Sequence, residues 1–301
     1  VKELISLKID YAFKLIFGKE GNEAILIAFL NAALRLPQDS QIEDIVILNP
    51  EFNKEYRDDK KSILDVRAVT TEGMQINIEI QLSDQYNMKK RSLYYWAQMY
   101  TRQMREGMAY KELTKAVTIN ILDFNYLTET NNYHNVFHLY EDEEKFQLID
   151  ALEMHFMELP KLINKWRSRE VSPWENGLVR WLLLLEGSEN QEIFNTLEEI
   201  AMQDPVLHQA IATWEQSSDD PNVREEYFAR RKAVLDEKAV VREAELRLKE
   251  GIERGVARGL AKGLAKGKAE VAKNLLNMGI EIPKIAQATG LSEEEIRLLN
   301  E

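Results

Sequence analysis

The sequence predicts an α/β fold, a mixed sheet flanked by helices, followed by an α-helical C-terminal extension. Three observations lead there. Residues 76–81 alternate apolar and polar side chains, the mark of a strand. Apolar-periodic segments of helical length stand on both sides of the predicted hairpin. From about residue 126 the pattern changes to helical segments with short breaks.

The elements follow in order. Asp10 precedes the apolar-periodic run 11–17, and residues 22–34 form an apolar-rich helix stopped by Pro37. Residues 45–48 begin the first strand, and 53–61 are a polar connection. Residues 62–69 and 75–81 flank a turn bearing Gly73, which reads as an antiparallel hairpin. In its second arm Ile76, Ile78 and Ile80 alternate with Asn77, Glu79 and Gln81, so one face is buried. If residues 71–73 are the loop, Asp65 lies opposite Glu79, with Cβ atoms about 4.5–5.5 Å apart. Residues 87–106 are a helix ending at Gly107, with Leu93, Trp96, Ala97 and Tyr100 on one face. Residues 116–122 are a buried strand. Beyond 126, residues 137–139 suggest one more strand, and 158–166, 173–187, 191–202, 204–214 and 221–231 read as helices.

The facing acids suggest chemistry. Two carboxylates at that spacing repel unless a cation lies between them, and oxygen ligands suit Mg²⁺. The reading depends on register, because a slip of one residue sends one acid to the other face. The alternative is a solvated pair on a wet strand face.

Asp65 followed fourteen residues later by Glu79-x-Gln81 resembles the D…(D/E)xK signature of the PD-(D/E)XK nuclease fold. Gln81 stands where most members carry Lys. The chain more specifically resembles the Rpn group of recombination-promoting nucleases, also described as PD-(D/E)XK nuclease family transposases. The matching stretches are Asp10-x-x-Phe13-Lys14-x-x-Phe17-Gly18, Leu64-Asp65-Val66, Ile78-Glu79-Ile80-Gln81, Arg91-x-x-x-Tyr95, Gly107-x-x-Tyr110 and Glu158-Leu159-Pro160-Lys161. The ordered set carries the resemblance, since ExQ alone is weak.

The resemblance implies a restriction-endonuclease-like core and a Mg²⁺-dependent DNA endonuclease, with Mn²⁺ as a substitute metal, linked to recombination, mobile elements or phage defence. Asp65, Glu79 and the carbonyl of Ile80 would hold the metal. Gln81 would orient water but cannot add charge, so Arg91 or Lys14 must supply it. Asp10 completes the metal shell or caps its helix, and Lys14 lies one turn later on the same side. Arg91 faces phosphate or solvent, with Tyr95 four residues on. The rival reading is a catalytically silent protein that binds DNA or scaffolds an assembly.

Composition bounds the rest. The 301 residues, 45% hydrophobic, can bury a sizeable core, and the absence of cysteine excludes disulfides and thiolate chemistry. The four histidines form no compact ligand motif, and His134 and His138 read as a surface helix or loop. No apolar run reaches spanning length and no signal peptide pattern opens the chain, so a cytoplasmic protein with no membrane partner is expected. The net charge of −12 is uneven: residues 126–229 carry 7 basic and 21 acidic residues, and 230–269 carry 12 and 6. A local basic region keeps DNA binding open.

These shifts divide the chain into 1–125, the core; 126–229, an acidic helical extension; 230–269, a basic glycine-repeat helix or linker; and 270–301, a small helical module. In the third segment Gly251, Gly255, Gly259, Gly263 and Gly267 recur every four residues, beside a lane of Ile252, Val256, Leu260 and Leu264. A self-associating helix, giving a homo-oligomer with a dimer favoured, competes with a flexible tether. The last module resembles half of a helix-turn-helix. Its final helix opens on three glutamates, which phosphates repel, so packing is expected there rather than base reading.

Overall fold

The computed structural model describes residues 3–48, 65–83 and 87–299. Its elements are α1 (Asp10–Phe17), α2 (Glu23–Leu34), β1 (Ile45–Leu48), β2 (Val66–Thr70), β3 (Gln75–Gln81), α3 (Met88–Thr101), β4 (Ala116–Leu122), β5 (His134–Phe137), β6 (Leu152–Glu158), α4 (Leu159–Arg167), α5 (Gly177–Leu184), α6 (Gln191–Ala201), α7 (Pro205–Asp219), α8 (Pro221–Asn277), α9 (Ile282–Thr289) and α10 (Glu293–Leu298). The expected order of helix, three strands, helix and strand is present. The polar connection 53–61 and residues 62–64 of the predicted hairpin lie outside the described residues.

The sheet has six strands in the order β1-β2-β3-β4-β6-β5. β3 is antiparallel to β2 and parallel to β4. The hairpin holds the expected register: Val66 faces Ile78, Arg67 faces Asn77 and Val69 faces Gln75. Gly73 closes it at φ +88°, and a Cβ there would meet Thr114 Cγ2 at 2.9 Å. Glycine is required at that turn twice over, by conformation and by space.

Below this sheet the core is aromatic. Phe17 lies 4.7 Å from Phe13, 5.5 Å from Phe29 and 6.1 Å from Trp181, ring centre to ring centre. Rings of this size gain roughly 1.5–3 kcal/mol each on full burial. Trp214, fully buried, donates its indole N–H to the carbonyl of Ile5 at 2.8 Å, so α7 holds the N-terminal segment.

Four features depart from the expectations. β3 has both faces buried, with Asn77 and Glu79 only 1% and 2% exposed. Its polar face is covered by α3, whose Ser92 hydroxyl shares a hydrogen bond with Thr118 (3.1 Å) and accepts one from Asn120 (2.9 Å). α3 therefore buries Met88, Ser92, Tyr95 and Met99, and leaves Leu93 exposed. It also stops at Thr101, before Gly107. The Thr101 hydroxyl donates to the Ala97 carbonyl, and the Gln103 amide bonds both backbone groups of Thr114 (2.8 and 3.1 Å), drawing the chain back to the sheet.

The third departure is that the sheet does not end near residue 125. β5 and β6 lie inside the 126–229 segment, where only a strand at 137–139 was expected among helices, and complete the sheet, β6 running parallel to β4. Buried Glu153 and His155 interrupt the apolar pattern of β6 and hide its period. Finally, the helix expected over 221–231 is the start of the 57-residue α8, which continues unbroken through the glycine repeat. The chain divides into two compact units, Val1–Ala233 and Val234–Glu301. In the second, Ala272 of α8, Ile285 of α9 and Ile296 of α10 form a small buried core. Ser292 and Glu295 cap α10 reciprocally, and Gly290 ends α9 at φ +66°. No described helix is long and apolar enough to cross a membrane.

Candidate active site

Glu79 lies near the end of central strand β3, and Asp65 stands one residue before β2 begins. Asp65 sits just past the last ladder pair. Its Oδ2 accepts the Ile80 N–H at 2.7 Å, taking the place of a backbone carbonyl. The N–H and C=O of one strand residue leave toward the same edge, so the Ile80 carbonyl is directed to the Asp65 side. The two acids thus meet where β2 gives out beside β3.

Positive charge converges on both. Arg91 of α3 donates through Nη2 to Glu79 Oε2 at 3.1 Å and through Nε to the Tyr95 hydroxyl at 3.0 Å. The Tyr95 ring also lies 5.3 Å from the guanidinium. Tyr95 is therefore both a core residue and the support that aims Arg91. Lys14 of α1 lies 3.7 Å from Asp65 Oδ1. Gln81 shares the face of Glu79 and donates to its Oε2 at a long 3.4 Å.

Asp10 is not the helix cap that one reading of the sequence expected. It is the first residue of α1 and makes no side-chain cap. Both its oxygens accept from Arg230 Nε at 2.8 Å, which ties the start of α8 to α1. Its charge still acts on Asp65 across the site, pushing that carboxyl up.

The electrostatics of the two acids suit a divalent cation. Burial pushes Asp65 up to about 6, against the pull of the Ile80 N–H and Lys14. Burial pushes Glu79 up to about 8, the Asp65 charge adds to it, and Arg91 opposes. Glu79 Oε1 is buried with no hydrogen-bond partner among the described residues. A buried carboxylate oxygen left unpaired is costly. An all-oxygen set of Asp65, Glu79 and the Ile80 carbonyl fits a hard divalent cation such as Mg²⁺ or Mn²⁺.

The histidines correct the sequence reading. His134 is buried on β5, and its Nε2 lies 2.8 Å from His155 Nδ1 on β6. Burial pushes His134 down to about 3, and His155 is also lowered, chiefly by burial. His155 Nε2 in turn bonds Glu153 at 2.6 Å, and His138, Asp150 and Glu153 lie close enough to share an ion. Twenty-one residues separate His134 from His155. Only the β5–β6 pairing brings them together.

Two family models match the chain. One, described as PD-(D/E)XK nuclease family transposase, covers residues 7–244. The other, described as Rpn/YhgA-like nuclease family, C-terminal HTH domain, covers residues 265–301. No curated protein and no solved structure matches. The first match spans the whole sheet and both carboxylates, so the chain belongs to the PD-(D/E)XK nuclease family transposases, with an Rpn-type helix-turn-helix domain at its end.

Proposed function

We propose that this protein is a Mg²⁺-dependent DNA endonuclease that hydrolyses phosphodiester bonds at the Asp65/Glu79 site. The observation that carries the reading is the meeting of Asp65 with buried Glu79 where β2 gives out beside β3, one Glu79 oxygen having no hydrogen-bond partner among the described residues. Asp65, Glu79 and the Ile80 carbonyl would hold the ion, with Asp10, held by Arg230, as the acid that would complete its shell. A bound divalent ion supplies an acidified water and neutralises charge on the scissile phosphate. Gln81 orients that water through its amide. Arg91 and Lys14 provide the cationic charge that Gln81 lacks, and Tyr95 fixes the direction of Arg91. The terminal helix-turn-helix domain supports DNA as the substrate. The protein acts as a homodimer assembled through α8, which gives two copies of the site for two strands.

Nicking of supercoiled plasmid with Mg²⁺, and not with EDTA, tests the activity. Protein that binds DNA but never nicks it would favour the rival reading of a silent scaffold, which the departure at Gln81 motivates.

Replacing Gln81 separates orientation from charge. Gln81→Lys is expected to keep or raise the nicking rate, because an ammonium supports the developing phosphate charge. Gln81→Leu, which can do neither job, is expected to lower it. Equal rates for leucine and glutamine would reduce Gln81 to a strand-face residue.

The acids also set a pH signature. Raised carboxyl values mean that the folded, metal-free protein holds protons that the unfolded chain has released. Its stability therefore falls as pH rises from about 4, the unfolded value, through about 6 and about 8. A divalent ion needs both groups ionised, so its stabilising effect grows over the same window. Thermal melts with EDTA and with Mg²⁺ from pH 5 to 8 (roughly, bracketing that window) should diverge as pH rises. Parallel curves would remove the carboxylates from metal binding.

A further inference from the structure

The opposite face of the sheet carries a second constellation. Glu153 of β6 pairs with Val117, on the face of Ile76 rather than that of Glu79. β5 runs against β6 with His134 facing Met157 and Val136 facing His155. The same course carries His138 toward Glu153, and Asp150 stands just ahead of β6. Each of His138, Asp150 and Glu153 offers a ligand atom within 4.8 Å of the other two.

Three further facts point to a cation there. The Nδ1 atom of His138 is closed to solvent and has no hydrogen-bond partner among the described residues. The Lys115 ammonium sits between the two acids, 2.8 Å from Asp150 and 2.5 Å from Glu153, where it stands in for a cation. Glu153 Oε1 accepts from His155, whose other ring nitrogen meets His134, itself 3.2 Å from Arg35 Nη2. A carboxylate ligand fixed by an outer histidine is the arrangement that orients metal ligands. It leaves the remaining oxygen for an ion.

We propose that His138, Asp150 and Glu153 form a second metal site, for a borderline divalent transition cation such as Zn²⁺. One imidazole and two carboxylates make a mixed nitrogen and oxygen set, which suits zinc better than magnesium, and leave a fourth position for water. Lys115, on a flexible stem and part-exposed, swings out as the ion enters. The metal pins the loop before β6 to the outer strand, so its role is structural and separate from the Asp65/Glu79 site.

Full-length protein stripped with chelator is titrated with Zn²⁺, and then with Co²⁺, in excess Mg²⁺ so that the oxygen site is filled. One equivalent of Zn²⁺ is expected to bind and raise the melting temperature, and Co²⁺ to give a visible spectrum with imidazole ligation. His138→Ala should weaken Zn²⁺ binding by at least about 10- to 100-fold, the effect of losing even an outer-sphere partner. Lys115→Met should tighten it, because the competing ammonium is gone. Absence of saturable Zn²⁺ binding overturns the proposal, as does binding unchanged by His138→Ala. A Lys115→Met variant that binds no more tightly overturns the stand-in role of the lysine.

Discussion

Asp65→Ala and Glu79→Ala are each expected to abolish nicking while the protein stays folded. Either change removes one of the two side-chain ligands for the ion that acidifies water. Asp10, whose charge also acts on Asp65, is held by Arg230. The loss should be on the order of 10³- to 10⁶-fold, the range for removing one member of a catalytic unit. Metal-free stability should move the other way. Glu79 is 2% exposed, keeps one oxygen unpaired and feels the Asp65 charge. Glu79→Gln, which preserves volume and an acceptor for Arg91, should therefore raise the metal-free melting temperature. Plasmid nicking and melting of the same preparations decide it. Full activity in either alanine variant removes the site assignment, and a collapse of melting would mean that the pair is structural.

Replacing Gly255, Gly259 and Gly263 together with alanine is expected to strengthen α8 and weaken assembly. A Cβ at any of these positions meets nothing within 4 Å. Alanine is worth roughly 0.8–1 kcal/mol per site over glycine in a helix, so about 2.5–3 kcal/mol for three. Packing within the described chain therefore gives no reason for glycine. Beside them Ile252, Val256, Leu260 and Leu264 are 58–74% exposed. On the proposed dimer, a second α8 packed close to the glycines would account for both facts, since small residues let backbones approach. Circular dichroism should show a more stable helix, and light scattering at equal concentration a lighter particle. Unchanged mass would make the repeat a helical tether and remove support from the dimeric model.

Local sequence determined much of this architecture. The alternation of Ile76, Ile78 and Ile80 with Asn77, Glu79 and Gln81, and the turn at Gly73, set the hairpin and its register. Strand period and turn conformation are local properties, so the meeting of Asp65 with β3 was legible in the sequence. The helix stop ahead of Pro37 was legible for the same reason. What the period could not tell was that the polar face of β3 is buried. That depends on α3 lying across it, which also turned the helix so that Ser92 and Tyr95, not Leu93, face the sheet.

The sequence by itself determined the hairpin, its facing acids and the order of elements, because each follows from the chain's own periodicity. Only the tertiary structure decided the rest. It gave Arg230 to Asp10 across 220 residues, set Arg91 on Glu79 with Tyr95 behind it, and joined His134, His155 and Glu153 by pairing β5 with β6. These contacts are long-range choices among surfaces, and charge pairing in a buried setting depends on which element excludes the water. No spacing along the chain records that.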